Sequence, residues 1–403
     1  GQLIPTLPEK ELTECLDYLD DLIRSSNVRA ATAALRTLSR LLTALGEEGP
    51  TDRILGLLLT GVAHYNDTIH QSALTVLCEE VLAGEDLSLL SRQAIFARVG
   101  KKLLTMLREP REGKINFFTR AAVLNHVYRF LVACRLELPP EAPSKPRPAA
   151  FFPGTFDPFT AGHKRIVQEI AARGFEVYLA IDEFSWSKQP LPKLQRRQIA
   201  GMSTADCAHV YLFPDQVPVN IAFPEDLKAL AACFPGRDLY LVTGSDVILN
   251  ASAYRTDVPG GAAEYNHIVF LRDREDLPQV EVRLKGDRQI LTLPEFYETV
   301  SSTRIREYVD RNMDVSMLVD PMVQSFIYEK GLYLRAPQYK RELQLQDRVL
   351  RYRREDRTCT ATLCSRSGEQ VLGIALGRTV GSAELYAFVA DLGAAEYLRQ
   401  HTS

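Results

Sequence analysis

Tryptophan, methionine and cysteine are scarce in this chain, which has one Trp, five Met and seven Cys among 403 residues. The cysteines are dispersed, and the sequence contains no CxxC pair and no Cys/His spacing typical of zinc ligands. Their distribution argues against a disulfide scaffold and a structural zinc site. We therefore expect the chain to work in a reducing cytoplasm.

The sequence also lacks long apolar runs and an excess of charge of one sign. No stretch is long enough to span a bilayer, and the first residues lack the basic start and apolar centre of a signal peptide. The net charge of -3 gives no global attraction to nucleic acid or to a membrane, so we expect neither as a partner. The first residue is Gly1 rather than Met, and we expect the chain to be part of something larger.

The chain is longer than one hydrophobic core usually serves, so we expect two or three domains. Residues 1–136 carry apolar residues at spacings of three and four in six successive segments, which predicts an all-α N-terminal domain. A HEAT-like array is one interpretation, although no repeated signature is present. We expect this domain to mediate protein contacts. Residues 137–148 contain five prolines and are predicted to be a linker.

Residues 149–337 show a different periodicity. Short apolar runs (AAFFP, EVYLAID, HVYLF, DLYLVTG and HIVFL) alternate with segments of helical periodicity. This alternation predicts a central α/β domain with a Rossmann-like parallel sheet.

The last segment, residues 341–403, is predicted to be a small α+β unit. Two strands joined by a turn at Ser367–Gly368 precede a helix over DLGAAEYLRQ. The segment VLGIALGRTV…ELYAFVADL resembles the opening strands of an acetyltransferase of the GNAT type, which implies a truncated domain of that kind. The acetyl-CoA pyrophosphate loop of such enzymes is not visible, so we assign it no activity.

The first strand of the central domain is followed by the turn GTFDPFTAGH, Gly154–His163. Gly154 permits the backbone to turn without a Cβ, and Gly162 lets a ligand approach the start of the next helix. That helix start offers N–H groups and a positive dipole end, so Thr160 and His163 lie where a phosphate would be held. The turn is neither GxGxxG nor GxxxxGK[ST], which excludes the usual dinucleotide and P-loop explanations.

A second anion site is predicted at VSSTRIR, Val300–Arg306. Ser301, Ser302 and Thr303 are suited to cap the helix TRIREYV, and Arg306 follows one turn later, within reach of the same phosphate. Taken alone, the motif fits a capped helix with a surface arginine equally well.

Together these two motifs resemble the T/HxGH and ISSTxIR signatures of the nucleotidyltransferase superfamily of adenylyl- and cytidylyltransferases. The resemblance covers about residues 149–337. It implies an enzyme that transfers AMP from ATP to a small phosphorylated acceptor and releases pyrophosphate, with Mg²⁺ bridging the ATP phosphates. Within the superfamily the chain looks most like nicotinate or nicotinamide mononucleotide adenylyltransferases of NAD biosynthesis. Ser187–Lys188 with Arg196–Arg197, and TGSD at 243–246, resemble their Lys…Arg and GxD motifs.

Two positions depart from that group. Thr160 replaces the more usual His and is shared with phosphopantetheine adenylyltransferases. The single tryptophan, Trp186, does not follow the GxD motif, where Tyr254 is the nearest aromatic residue. Phosphopantetheine adenylyltransferases and cytidylyltransferases are therefore alternatives, and so is a nucleotide-sensing module of low turnover in a larger assembly. Complete motifs favour an active enzyme.

The resemblance implies roles for the matched residues. Those placed beside the reacting phosphates are His163, Thr160, Lys188, Arg197 and Arg306, with Arg196 as a substitute for Arg197. Those placed at the nucleotides are Gly154, Thr155, Phe156, Asp157, Gly162, Gly244, Asp246, Ser301, Ser302 and Thr303. Asp246 is implied to contact the acceptor, and no residue is implied as a metal ligand.

Simpler explanations stay open for some of these residues. Lys188 and Arg197 also fit solvated surface charges, Asp246 also fits a helix cap, and Asp157 also fits a turn residue.

Overall fold

The computed structural model describes residues 7–46, 49–111, 114–137, 146–181, 190–217, 219–254, 258–271, 274–334, 343–345, 348–355, 358–365 and 370–376. The chain divides into two compact units. The first comprises Gly1–Ser302 and Ser316–Glu329, and the second comprises Thr303–Val315 and Lys330–Ser403. Across the described ranges, no helix combines the length and apolar character needed to cross a membrane.

The predicted all-α region is confirmed as a helical domain of six helices within the described residues. They are α1 Glu9–Arg24, α2 Val28–Leu45, α3 Thr51–Ala63, α4 Asp67–Leu74, α5 Leu89–Arg108 and α6 Lys114–Glu137, and α4 continues as a π-helix over Thr75–Leu82. Side-chain caps begin several of them; for example, the Asn27 side chain accepts the Ala30 N–H at 3.2 Å. Their apolar faces share one core, which contains Leu35, Leu58 and Leu77. The HEAT-like arrangement stays a prediction.

A parallel sheet follows, as predicted. Its strands are β1 Ala149–Gly154, β2 Glu176–Ile181, β3 Val210–Leu212, β4 Leu239–Gly244, β5 Asn266–Phe270 and β6 Arg288–Leu291. Their order is β3-β2-β1-β4-β5-β6, and every neighbouring pair is parallel. The strand order reverses between β1 and β4, and in open α/β sheets a ligand crevice forms beyond the strand ends at such a point.

Helices connect these strands and complete what we call the sheet domain. They are α7 Ala161–Ala172, α8 Lys193–Ser203, α9 Pro224–Ala232, α10 Ser245–Asn250, α11 Leu277–Arg283, α12 Glu295–Glu298 and α14 Pro321–Lys330. A further helix, α13 Ser302–Asp310, belongs to the second unit from Thr303 onwards. Phe151 on β1 pairs in register with Tyr178 on β2 and Leu241 on β4, so β1 lies in the middle of the sheet. The core on one side contains Phe151, Phe213 and Tyr254.

The helical domain covers the β3 edge of the sheet. The buried Lys102 on α5 donates from Nζ to the carbonyls of Thr204, at 2.9 Å, and of Val210. Burial lowers the pKa of Lys102 to about 8. An open strand edge is a liability for aggregation, and a covering helix is one of the ways in which proteins protect it.

In the second unit, four strands form an antiparallel sheet in the order β10-β9-β8-β7. They are β7 Leu343–Leu345, β8 Arg348–Glu355, β9 Thr358–Ser365 and β10 Gln370–Leu376. The predicted strand pair corresponds to β9 and β10, which pair antiparallel. β7 and β8 were not predicted. The turn at Ser367–Gly368, the helix over 391–400 and most of the 137–148 linker lie outside the described residues.

Candidate active site

The loop after β1 has an unusual backbone. Phe156 adopts a positive φ of 45°, and the Asp157–Pro158 peptide bond is cis. Gly154 leaves space for the Phe156 ring, since a Cβ at this glycine would lie 2.7 Å from Cζ of that ring. The loop therefore folds over the end of β1, and its conformation depends on the glycine.

Thr160 and His163 form a reciprocal cap at the start of α7. The Thr160 Oγ1 accepts the His163 backbone N–H at 3.2 Å, and the His163 Nδ1 accepts the Thr160 backbone N–H at 3.0 Å. Because Nδ1 accepts a backbone donor, the neutral imidazole carries its proton on Nε2. The cap thus fixes the tautomer of the ring, and it makes Nε2 a hydrogen-bond donor.

Aromatic rings hold the His163 imidazole in place. The Phe156 ring lies edge-on to it with centroids 5.1 Å apart, and the Phe159 ring lies at 5.2 Å. Phe152 on β1 is 6.3 Å away and also contacts Phe156. These phenylalanines are buried, so they restrict both the position and the rotation of the ring.

A pocket opens at this point, between α7, the end of β5 and the segment before α13. Thr160, Gly162 and His163 form one wall, and Phe270, Tyr297 and Val300 form much of the other. A Cβ on Gly162 would lie 3.2 Å from the Tyr297 carbonyl oxygen, so the glycine lets the segment at Tyr297 approach the start of α7 closely. The site combines an apolar lining with few polar groups, as ligand pockets usually do.

A brace of hydrogen bonds supports the loop from α8. Arg196, which is buried, donates from Nη1 to the Thr155 carbonyl at 2.6 Å and from Nε to the Leu191 carbonyl at 2.8 Å. The Leu191 N–H in turn donates to the Asp157 carboxylate at 3.3 Å. In the folded loop the buried Asp157 thus accepts a partly buried hydrogen bond, and its role as a ligand contact stays a prediction.

The structure places Arg197 away from this loop. Its guanidinium pairs with Glu109 of the helical domain at 2.7 Å and with Asp215 at 2.7 Å, and it also donates to the Phe213 carbonyl. These ion pairs neutralise the charge of Arg197 at the contact with the helical domain. Arg196 is the arginine that contacts the loop. Lys188, with Trp186 and Ser187, lies outside the described residues.

The second motif meets the first through Ser302. Its hydroxyl donates to the Pro158 carbonyl at 2.9 Å, which joins the start of α13 to the loop after β1. Ser301 precedes it and is half-buried. In the second compact unit, Arg306 donates to the Thr303 hydroxyl at 3.2 Å.

Gly244 is the last residue of β4, the strand next to β1, and Asp246 follows it in the chain. A Cβ on Gly244 would collide with the Asp246 carboxylate and lie 2.9 Å from the Phe270 ring. Ser245, between them, is buried and donates to Asp276 at 2.6 Å. Asp246 is exposed in the first turn of α10, so its carboxylate can be reached at the switch point of the sheet.

Tyr254 belongs to the core of the domain. It is 2% exposed, and its hydroxyl donates to His267 Nε2 at 3.2 Å. The place of Tyr254 after the GxD motif suggests a contact with a ligand, but its ring is packed inside the core instead.

Some residues that shape the site were not identified from the sequence. In the sequence, Phe152 and Phe270 look like ordinary apolar residues of the strands β1 and β5. The loop before α14 was also missed: the Leu318 carbonyl accepts the Ala161 N–H at 2.8 Å, at the first residue of α7.

Residues 151–308 match the family model described as Cytidylyltransferase-like. The sheet domain thus contains a segment that matches a Cytidylyltransferase-like domain. A phosphopantetheine adenylyltransferase of Acidovorax sp. is 27% identical over 182 residues, which span 45% of this chain and 93% of that relative. A probable nicotinate-nucleotide adenylyltransferase of Trichlorobacter lovleyi is 26% identical over 204 residues, which span 45% of this chain and 96% of the relative.

Among solved structures, the chain is similar to the Plasmodium falciparum nicotinic acid mononucleotide adenylyltransferase complexed with NaAD. The identity is 16%, the TM-score is 0.39, and the match covers 46% of this chain and 97% of that one. A putative nicotinate-nucleotide adenylyltransferase of Vibrio parahaemolyticus is 18% identical with a TM-score of 0.33, covering 46% and 95% of the two chains.

In the sheet domain, replacing Arg196 with Lys should lower kcat/KM about tenfold, since a single ammonium cannot serve two carbonyls and small loop displacements are costly. The measurement is steady-state pyrophosphate release. Gln198→Ala, on the same helix, is the matched control and should stay within about twofold of the wild type. An Arg196→Lys variant with unchanged kcat/KM would show that the brace does not support catalysis.

Proposed function

We propose that the chain is an adenylyltransferase that joins the AMP part of ATP to nicotinate or nicotinamide mononucleotide and releases pyrophosphate, in the cytoplasm. The observation that carries this proposal is the reciprocal cap of Thr160 and His163. It puts the ring proton on Nε2, and His163 lines the pocket at a helix start where N–H groups favour an anion. A donor fixed before the substrate arrives stabilises charge without reorganisation in the transition state.

The reaction needs no covalent enzyme intermediate. An oxygen of the acceptor phosphate attacks the α-phosphorus of ATP in line, and the bond between the α-phosphorus and the bridging oxygen of pyrophosphate breaks. Negative charge grows on the leaving pyrophosphate and the α-phosphate oxygens. Catalysis of such a step consists mainly of positioning and charge stabilisation.

His163 would donate from Nε2 to an ATP phosphate as this charge grows, and Thr160 would hold the ring in that tautomer. Ser302, Thr303 and Arg306 are proposed to bind the β and γ phosphates, with Lys188 as a further cation. Arg196 is proposed to hold the loop that carries the backbone N–H groups. The contacts of Arg197 with Glu109 and Asp215 favour a role at the contact with the helical domain instead.

Mg²⁺ is proposed to enter with ATP. Within the part of the chain that the structure describes, no group of three or more carboxylate, His or Cys side chains is arranged to hold a metal ion. An ion that enters with ATP would be bound chiefly by phosphate oxygens and water, as Mg²⁺ commonly is in nucleotide sites. It would neutralise phosphate charge while the protein side chains orient the reacting groups.

The acceptor is the finer part of the proposal. The names of the relatives described above indicate phosphopantetheine or nicotinate nucleotide as the acceptor. Thr160 resembles the residue of the phosphopantetheine adenylyltransferases at this position of the motif. The exposed Asp246 at the end of β4 supports a mononucleotide acceptor, since its carboxylate can accept hydrogen bonds from a sugar or a carboxamide.

The experiment that tests this proposal measures pyrophosphate release from ATP and Mg²⁺ with nicotinate mononucleotide, nicotinamide mononucleotide and phosphopantetheine, with CTP in parallel. We expect turnover with a pyridine mononucleotide, and Asp246→Asn should raise KM for that acceptor about tenfold because one charge-assisted hydrogen bond is weakened. Turnover with phosphopantetheine or with CTP alone would replace the acceptor or the nucleotide in the proposal. ATP binding without turnover on any acceptor would favour a nucleotide-sensing module.

A further inference from the structure

A buried cluster of charges joins the helical domain to α7, the helix that carries His163. Arg24, the last residue of α1, is 7% exposed. Its guanidinium pairs with Asp20 at 2.6 Å, with Asp320 at 2.6 Å and with Asp206 at 3.2 Å. Arg24 thus connects α1 with the segment after α8 and with the start of α14.

Lys164, the residue after His163, completes the cluster. Its ammonium lies 2.8 Å from the Asp206 carboxylate and 3.2 Å from the Asp320 carboxylate. Burial opposes the charge on Lys164, but these two carboxylates outweigh burial and raise its pKa. Two cations and three carboxylates, counting Asp20, therefore share one site.

Asp320 and its neighbour Leu318 touch α7 on both sides of His163. The Leu318 carbonyl accepts the Ala161 N–H, and the Asp320 carboxylate forms an ion pair with the Lys164 ammonium. The second carboxylate oxygen of Asp320 accepts the Met322 N–H at 3.0 Å and so caps α14. The segment 318–320 is consequently held by α14, by α7 and by Arg24, and it sets where the first turn of α7 lies.

From this geometry, and resting on the function proposed above, we propose that Arg24 is a positioning residue for the reaction. It holds Asp320 and Asp206, these hold Lys164 and the first turn of α7, and that turn aims the His163 imidazole. The helical domain would then be part of the machinery that prepares the active site, because one of its side chains fixes the helix that supplies the catalytic donor.

Two other charged contacts of the helical domain have their hydrogen-bond and ion-pair partners on elements other than α7, as far as the described residues show. Lys102 donates to carbonyls after α8 and on β3, and Lys101 pairs with Glu176 on β2 at 2.6 Å. Loss of either contact should weaken docking of the helical domain while leaving the start of α7 in place. Lys102→Met is therefore the matched control, since it also removes a buried cation from this contact.

The first test compares Arg24→Met with Lys102→Met in the full chain at a temperature where both are folded by circular dichroism. We expect Arg24→Met to lower kcat about tenfold or more with KM for ATP within about threefold, because a small displacement of a catalytic group affects the transition state most. Lys102→Met should keep kcat within about twofold. Arg24→Lys keeps the charge, but one ammonium cannot span three carboxylates as the guanidinium does, so it should recover only part of the lost kcat.

Removal of one partner from a buried charge cluster can prevent folding. The double variant Arg24→Met/Asp20→Asn removes one cation together with one carboxylate, so it keeps the charge balance and serves if the single variant does not fold. The same fall in kcat is expected. A folded variant, single or double, with wild-type kcat would overturn the proposal, and so would an equal fall in Lys102→Met.

A second measurement does not depend on turnover. The chain has seven histidines, so the ring nitrogens can be followed by NMR after ¹⁵N-histidine labelling, with His163→Gln as the assignment variant. We expect the wild-type His163 signal to show an unprotonated Nδ1, and the Arg24→Met signal to shift towards a mixture of tautomers. An unchanged His163 signal in folded Arg24→Met would contradict the positioning role even if no acceptor is found. A shifted signal without turnover would leave the positioning role standing and reject only the proposed reaction.

Discussion

Replacing His163 with Asn should lower kcat at least about a hundredfold while the fold survives, since loss of one preorganised donor typically costs that much. The asparagine Oδ1 lies near the position of the imidazole Nδ1, so it can still accept the Thr160 N–H and keep the cap. No donor remains at the position of Nε2. The variant thus separates the capping role of this side chain from its catalytic role.

His163→Gln is the complementary variant. Its side-chain amide can fold back so that Oε1 accepts the Thr160 N–H, as Gln does at this position of a capping box, or extend so that Nε2 donates near the position of the imidazole Nε2, but it cannot do both at once. We expect a kcat between those of the wild type and His163→Asn, together with a melting temperature close to that of the Asn variant because the cap can still form. His163→Ala removes both the acceptor and the donor, so it should lower both kcat and the melting temperature.

The measurements are steady-state kinetics with the best acceptor, thermal unfolding by circular dichroism and equilibrium binding of ATP. If His163→Asn retains kcat within a few-fold of the wild type, the imidazole is not the group that stabilises the transition state. If His163→Ala is as stable as the Asn and Gln variants, the hydrogen bond from the Thr160 N–H to Nδ1 does not govern the helix start in solution.

The sequence was sufficient to predict the elements whose pattern is local. Five of the parallel strands were predicted because each is a short apolar run with turn residues beside it. β6 was missed, since Arg288–Leu291 has four residues, begins with an exposed arginine and lies at the edge of the sheet. The phosphate-loop motif could be recognised because its capping geometry is encoded within ten consecutive residues.

Side-chain contacts that depend on the tertiary structure could not be predicted from the sequence. Arg196 and Arg197 are neighbours on α8, where consecutive side chains point about 100° apart, so one faces the loop and the other faces Glu109. Local spacing gives no means to decide which is which. Arg24 is a stronger case, because its partner Asp320 is 296 residues away in the chain. Tyr254 had the right place in the sequence for a ligand contact, but its ring is packed into the core.

Acid should destabilise this protein well above the pH at which carboxylates titrate, because of three buried histidines. His64, His70 and His267 are at most 3% exposed, and burial lowers the pKa of each from 6.5 to about 4. The neutral rings are already satisfied. His64 Nδ1 accepts the Asn66 N–H at 2.9 Å, and His70 Nδ1 donates to the Val62 carbonyl at 2.5 Å.

The sign follows from the protons bound in each state. Below pH 6.5 the unfolded chain takes up protons on these rings while the folded chain does not, so the free energy of unfolding falls as pH falls towards about 4. Each ring contributes up to about 3 kcal/mol over this window, at about 1.4 kcal/mol per pKa unit. Above pH 6.5 their contribution is complete and constant.

Urea unfolding followed by circular dichroism between pH 7 and pH 4.5 measures this effect. We expect a steep loss of stability whose slope approaches three protons taken up per molecule unfolded about midway between pH 4 and pH 6.5. His70→Gln should remove up to one proton from that slope, because glutamine can still donate to the Val62 carbonyl but does not titrate. Free energies of unfolding that stay level across this range would show that the three rings become protonated in the folded chain. Burial would then not keep these rings neutral, and the cores of both the helical domain and the sheet domain would contain positively charged imidazolium rings.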